Sequence, residues 1–124
     1  MSTIKSYTDL EQSKKLAEIL PLESANMWYS YYGNSKYNPT IAYKGQQWFL
    51  CQIRNSLHDD IPCWSLSALL RVLTKNKICH YDDRYYCQYM SEGDEFPIYS
   101  TAEYDNPVDA CVAMIEKSHE LNLL

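Results

Sequence analysis

Residues 77–90 decide the fold: Lys77-Ile78-Cys79-His80-Tyr81-Asp82-Asp83-Arg84-Tyr85-Tyr86-Cys87-Gln88-Tyr89-Met90. Tyr85, Cys87 and Tyr89 alternate along the second half, and successive side chains of a strand point to opposite sides. The run Asp82-Asp83-Arg84 supplies a polar turn between the two arms. The stretch therefore predicts an antiparallel β-hairpin.

Further strands are predicted on both sides of this hairpin. The segments 26–32 and 37–43 are rich in aromatic and β-prone residues. Residues 47–54 fit a third strand, although the same pattern also allows a short helix. Residues 55–62 have the composition of a polar loop. In the segment 96–102, Pro97 stands near the start, which favours an edge strand.

Three helices are expected from their capping signals. Thr8 followed by Glu11 matches a capping box for the first, and Ser65 fits the N-cap of the second. Asn106 as N-cap and Pro107 in the first helical position mark the third. Its apolar stripe comprises Val108, Cys111, Val112, Ile115 and His119. Strands in blocks between helices predict one α+β domain over residues 1–124, a mostly antiparallel sheet with about three helices packed on it.

Composition disfavours several classes of function. Eleven Lys and Arg against sixteen Asp and Glu leave a formal charge of −5, which is unlike a protein that tracks the phosphates of long nucleic acids. The three glycines stand too far apart for a dinucleotide-binding or P-loop motif. No apolar run approaches the roughly 18–20 residues of a membrane span, and the first residues lack a secretory signal pattern. We therefore expect a cytoplasmic protein with no membrane partner.

The sequence predicts no metal, no cofactor and no catalytic residue. Five cysteines at wide, irregular spacing fit reduced, buried thiols. His58-Asp59-Asp60 and His80-Tyr81-Asp82-Asp83 could together ligate a divalent metal if the two turns met. Aspartate is also common in turns for local backbone hydrogen bonding, which is the simpler interpretation. His119 is expected to pack, partly buried, near the end of the last helix.

Tyrosine is the one compositional excess. Twelve tyrosines accompany two phenylalanines, and the hydroxyl is useful on a surface that meets both water and a ligand. If the strands of residues 26–43 neighbour the hairpin, their tyrosines form one platform. Such a platform can stack a nucleobase or contact a partner protein. The alternative is that the rings only cover a thin sheet.

Three segments carry a family resemblance. They are residues 8–25, beginning Thr8-Asp9-Leu10-Glu11, residues 62–70, beginning Pro62-Cys63-Trp64-Ser65, and residues 104–115, beginning Tyr104-Asp105-Asn106-Pro107. These segments resemble a family of small uncharacterised proteins of phages and mobile elements of gut anaerobic bacteria. The last segment is more loosely similar to the closing helix of phage α/β sandwich domains. The resemblance implies a counter-defence role, and no functional residue is carried over from it.

The leading prediction is a non-catalytic, homo-oligomeric binding protein that sequesters a small nucleotide-like immune signal. Arg54 or Arg84 would meet its phosphate, and its base would stack on a group of aromatic side chains, Trp28, Tyr29, Tyr31, Tyr85 and Tyr86. The first alternative is an inhibitor that binds a host defence protein through an acidic and aromatic surface. The second is a small metal-dependent hydrolase with its metal at the two histidine–aspartate turns.

Overall fold

Seven strands and three α-helices make up the part of the chain that the computed structural model describes, residues 5–31, 41–43, 46–52, 60–90 and 97–124. The helices are α1 (Leu10–Ala17), α2 (Leu66–Val72) and α3 (Pro107–Glu120), with a 3₁₀ turn at Leu22–Ser24. The strands are β1 (Met27–Tyr31), β2 (Ile41–Tyr43), β3 (Gln46–Cys51), β4 (Ile61–Cys63), β5 (Asn76–Tyr81), β6 (Arg84–Met90) and β7 (Pro97–Ser100). The predicted α+β class is confirmed.

The strands form two antiparallel sheets rather than the single sheet that the strand pattern suggests. The first has the order β2-β3-β1-β4 and the second the order β5-β6-β7. In the first, Tyr29 of β1 lies opposite Leu50 of β3 and Ile61 of β4. The hairpin of β5 and β6 follows α2 along the chain, and with β7 it forms the second sheet.

Two expectations for the first sheet are revised. The segment 55–62 contains the start of a strand, β4, where only a loop was predicted. Pro62 disfavours a strand in the sequence pattern because proline lacks a backbone N–H. Proline is tolerated in β4 because β4 is at the edge of the sheet and needs hydrogen bonds on one side only. In the segment 47–54, β3 is a strand and not a short helix. Trp48 and Phe49 are adjacent and both buried, so β3 is covered on both faces. Its sequence therefore shows only a weak alternation of apolar and polar residues.

The hairpin is confirmed, with its turn one residue shorter than predicted. Tyr81 lies opposite Arg84, so Asp82 and Asp83 alone make the turn and Arg84 begins β6. The φ angles of Asp82 and Asp83 are 50° and 60°, the left-handed pair typical of tight hairpin turns. β7 pairs with β6 alone, as expected for an edge strand that begins at Pro97.

The helix caps agree with prediction except at α1. Asn106 caps α3 and Ser65 caps α2, each accepting from a backbone N–H three residues on. The cap of α1 is Asp9, which forms a capping box with Gln12. Thr8 cannot serve because its hydroxyl lies 2.8 Å from Ser13 Oγ and accepts from the buried Trp64 N–H at 3.1 Å. None of the described helices is both long and apolar enough to cross a membrane.

The N-terminal segment is also tied directly to α3. Lys5 Nζ lies 2.9 Å from Asp109 Oδ1, across 104 residues of chain. Gln12 Nε2 donates to the same oxygen at 2.7 Å, and Asn106 Nδ2 donates to Asp109 Oδ2 at 2.8 Å. Burial opposes the ionised form of Asp109, but these hydrogen bonds outweigh burial and lower its pKa.

The larger core lies where α3 packs on β6 and α2. It is formed by apolar side chains from all three helices, from β6 and from Trp64 between β4 and α2; its members include Leu16, Leu69, Cys87, Val108, Cys111 and Ile115. A smaller cluster covers the first sheet, with Leu10, Tyr29, Trp48 and Cys63. His119 is exposed, contrary to prediction, and Ser118 is buried in its place. Residues three and four positions after Ile115 lie on the same side of a helix, so periodicity alone does not separate them.

Candidate binding face of the second sheet

Strand alternation divides the second sheet into a covered and an uncovered face. Cys87 lies opposite Ile78 and is fully buried against α3, so this pair marks the inner face. The residues that precede and follow each member of this pair along its strand point to the opposite face. We call this the outer sheet face; it comprises Lys77, Cys79, Tyr81, Arg84, Tyr86, Gln88 and, on β7, Ser100.

Two tyrosines give the outer sheet face its aromatic character. Tyr81 is 72% exposed, an unusual degree of exposure for an aromatic side chain. Tyr86 is partly exposed on the neighbouring strand. Together with Ser100, Thr101 and Glu103 they line a shallow recess of about 250 Å³. The recess is smaller than the roughly 300–1,000 Å³ of an enclosed ligand pocket, so a ligand would lie on the face rather than sink into it.

Cations stand beside the two rings. Arg84 is directly opposite Tyr81, and its guanidinium donates to the Glu103 carbonyl oxygen at 3.0 Å. This bond places the guanidinium at the edge of the recess that Glu103 also lines. Lys77 is exposed further along β5. A hydrogen bond with the Cys79 thiol raises the pKa of the Tyr86 hydroxyl above its ordinary value.

The hairpin residues chosen from the sequence do not all share this face. Tyr86 and Arg84 lie on it. Tyr85 lies on the inner face, where its ring stacks on His80 with centroids 4.4 Å apart and planes within 4°. Its backbone exchanges two 2.7 Å hydrogen bonds with Tyr104. Neighbouring residues of a strand cannot stack one ligand, so the predicted joint use of Tyr85 and Tyr86 is wrong.

The aromatic residues predicted on the first sheet do not lie on the outer sheet face. Tyr29 is 1% exposed and its hydroxyl donates to the Thr8 carbonyl oxygen at 2.9 Å, so its ring is part of the core. Burial raises the pKa of that hydroxyl. Trp28 is partly exposed but lies on β1, which does not pair with the hairpin. The condition for a single tyrosine platform is therefore not met. The side chain of Tyr31 and all of Arg54 lie outside the described residues.

Tyr81 is the residue that sequence reasoning passed over. The sequence analysis predicts Tyr85 and Tyr86, and not Tyr81, as the stacking residues of the hairpin. Its position gives a usable signal, because Tyr81 is the last residue of β5 and stands immediately before the turn residues Asp82 and Asp83. Alternation from buried Cys87 then places Tyr81 and Tyr86 together on the opposite face.

The residues considered above for metal binding or nucleophilic chemistry have structural roles in the described part of the chain. His80 is stacked on Tyr85, and Asp82 and Asp83 form the turn. Among the described residues, no group of three or more His, Cys, Asp or Glu side chains could hold a metal ion; His58 and Asp59 lie outside them. All five cysteines are free thiols. Burial raises the pKa of Cys63, which disfavours the reactive thiolate.

Comparisons with known protein families, with curated proteins and with solved structures find no match to this chain. The resemblance to proteins of phages and mobile elements therefore stays a prediction.

Proposed function

We propose that this chain is a non-catalytic binding protein that takes up a small nucleotide-like ligand on the outer sheet face. One observation supports this proposal above others: the highly exposed Tyr81 lies beside Tyr86, with Arg84 directly opposite on the next strand. An aromatic surface next to a guanidinium matches the two halves of a nucleotide, a planar base and an anionic phosphate.

The proposed contacts divide between the rings and the cation. The base stacks on Tyr81, and base–aromatic stacking contributes about 1–3 kcal/mol per base. Arg84 meets the phosphate through its guanidinium, which carries five N–H donors and uses one for Glu103. The overall charge of −5 leaves little attraction for the many phosphates of a long nucleic acid but does not prevent this single contact.

In this proposal the protein acts for a phage or mobile element as a counter-defence factor. It withdraws a nucleotide immune signal from the host cytoplasm, as a homo-oligomer that holds the ligand without changing it. Sequestration needs affinity and abundance rather than catalysis, which suits a small chain in which three thiols, those of Cys63, Cys87 and Cys111, are buried.

Native mass spectrometry before and after incubation with the small-molecule filtrate of immune-triggered host cells tests the proposal first. We expect an added mass of nucleotide size on an oligomeric protein. Calorimetry with the identified nucleotide then measures the affinity of variants. Tyr81→Ala should raise Kd by roughly 5- to 150-fold, which corresponds to the loss of one stacked base.

Two control variants separate the site from general damage. Tyr81→Phe keeps the ring and should bind nearly as well as the parent protein. Arg71→Ala removes an exposed arginine of α2, away from the sheet, and should leave Kd unchanged, whereas Arg84→Ala should weaken binding. The proposal is wrong if no nucleotide binds, or if Tyr81→Ala and Arg84→Ala both bind like the parent protein.

A second candidate function is inhibition of a host defence protein. The observation that favours it is Ile98 on the edge strand β7, which is 58% exposed in the same sheet as Tyr81. Exposed aromatic and aliphatic side chains of this kind are common in the centre of protein interfaces. A stoichiometric partner captured from host lysate by the parent protein, and lost with Ile98→Asp but not with Tyr81→Phe, would favour this function.

A further inference from the structure

The recess on the outer sheet face contains a carboxylate that the proposed contacts with base and phosphate do not use. Among the described residues that line the recess, Glu103 alone is acidic. Glu103 is exposed, so a ligand that lies on the face can reach its side chain. Within the described part of the chain, no hydrogen bond or ion pair engages this carboxylate. It is therefore available to a ligand.

The backbone on both sides of Glu103 is hydrogen-bonded to β6. Tyr104, the next residue, exchanges two 2.7 Å hydrogen bonds with Tyr85. Two residues before Glu103, the Thr101 N–H donates to the Cys87 carbonyl oxygen at 2.9 Å. These bonds fix the segment against the sheet, so the carboxylate lies at the recess before any ligand arrives. A group that is already in place costs little conformational entropy when it binds.

The neighbours of Glu103 are the same residues that the proposed nucleotide site uses. The Arg84 guanidinium donates to the backbone carbonyl oxygen of Glu103 at 3.0 Å rather than to its carboxylate. The pKa of Tyr86 is raised first by the hydrogen bond with Cys79, and the charge of Glu103 also contributes, as expected for a carboxylate near that hydroxyl. The carboxylate therefore lies between the aromatic surface and the cation, with neither occupying it.

A carboxylate in this position narrows the class of ligand. An ionised carboxylate accepts hydrogen bonds and donates none, and it repels a phosphate. The part of a nucleotide between base and phosphate is the sugar, and acidic side chains bind ribose hydroxyls in dinucleotide-binding domains. On the basis of the proposed nucleotide site, we propose that the ligand is a ribonucleotide: Glu103 accepts from the ribose 2′-hydroxyl, while Arg84 meets the phosphate and Tyr81 stacks on the base.

Titration calorimetry with AMP, GMP, CMP and UMP and with their 2′-deoxy counterparts tests this selectivity. A ribonucleotide should bind roughly 3- to 15-fold more tightly than its deoxy counterpart, as expected for one hydrogen bond on an exposed surface. Glu103→Ala should reduce this preference to about twofold or less, because the acceptor is gone. The same variant should bind the deoxynucleotide as well as the parent protein does, or slightly better, since the repulsion between carboxylate and phosphate is also removed.

Damage to the fold would weaken both members of a nucleotide pair, so the ratio of their affinities is the informative readout. Glu11→Ala, at an exposed position of α1, is the matched control and should keep the parent preference. Equal binding of ribo and deoxy forms by the parent protein, or a preference that survives Glu103→Ala, overturns the ribose contact but not the nucleotide site. Equal weakening of GMP and its deoxy form by Glu103→Ala, with AMP unaffected, also overturns it, because the carboxylate then contacts the base. If no nucleotide binds, the proposed function fails as well.

Discussion

Replacing Asp109 by alanine removes the acceptor that joins the N-terminal segment to α3. Three hydrogen bonds are lost, from Lys5, Gln12 and Asn106, at 2.7–2.9 Å. A hydrogen bond to a charged group typically contributes about 1.5–3 kcal/mol, but such values do not add for one shared carboxylate. The side chains of Lys5 and Asp109 are 27% and 28% exposed, so water can hydrogen-bond to the groups left without Asp109 and reduce the loss of stability. We expect Asp109→Ala to lower the free energy of unfolding by about 2–3 kcal/mol.

The same carboxylate predicts a pH dependence. Its pKa in the folded protein lies below the ordinary value of 3.8, because the hydrogen bonds outweigh burial. The ionised form therefore contributes its full stabilisation above that value, and the contribution is lost as the pH falls through the lowered pKa. The difference in unfolding free energy between the parent protein and Asp109→Ala should be constant near neutral pH and shrink below pH 3.8.

Urea denaturation followed by circular dichroism at several pH values measures both quantities. Glu120→Ala is the matched control, because it removes an ion pair with Lys117 that is longer, at 3.4 Å, and whose carboxylate is 68% exposed. An exposed pair of this kind contributes about 0–1 kcal/mol. Equal losses for Asp109→Ala and Glu120→Ala, or a difference that does not shrink in acid, would refute the reasoning.

Three further changes test other parts of the fold. Asp83→Gly should raise the free energy of unfolding by about 0.5–1 kcal/mol, seen as a higher Tm, because glycine adopts the turn's positive φ without steric cost; a lower Tm would contradict this. Tyr29→Phe should cost about 1 kcal/mol in urea denaturation, since it removes the buried bond to Thr8 while keeping the ring; an unchanged midpoint would contradict it. Asn122, at φ 59° after α3, should tolerate glycine, whereas Asn122→Val should lower Tm by a few degrees.

The hairpin and α3 could be predicted because their signals are local. A turn between two alternating arms needs only neighbouring residues, and the cap at Asn106 acts within three residues of itself. The cap of α1 could not be predicted in the same way. Thr8 and Asp9 are both capping residues, and the choice between them depends on Trp64, whose N–H donates to the Thr8 hydroxyl from 56 residues away.

In the candidate site, too, local features could be predicted from the sequence and long-range ones could not. Alternation places Tyr86 and Arg84 on one of the two faces of the sheet, but which face is covered depends on where α3 packs. The sequence predicts Tyr29 as a stacking residue because tyrosine suits a surface that meets a ligand, but its hydroxyl bonds to the Thr8 carbonyl, a partner that no pattern around residue 29 reveals. The separation into two sheets likewise rests on long-range pairing.

The contact between Lys5 and Asp109 has a consequence for synthesis on the ribosome. At about 5–20 residues per second, the 104 residues that separate them take roughly 5–20 s to translate. Throughout that interval the apolar side of α1, with Leu16, has no α3 to pack against. We expect the nascent chain to offer this side to chaperones until the last helix emerges, so that slow codons before residue 107 would lengthen chaperone occupancy.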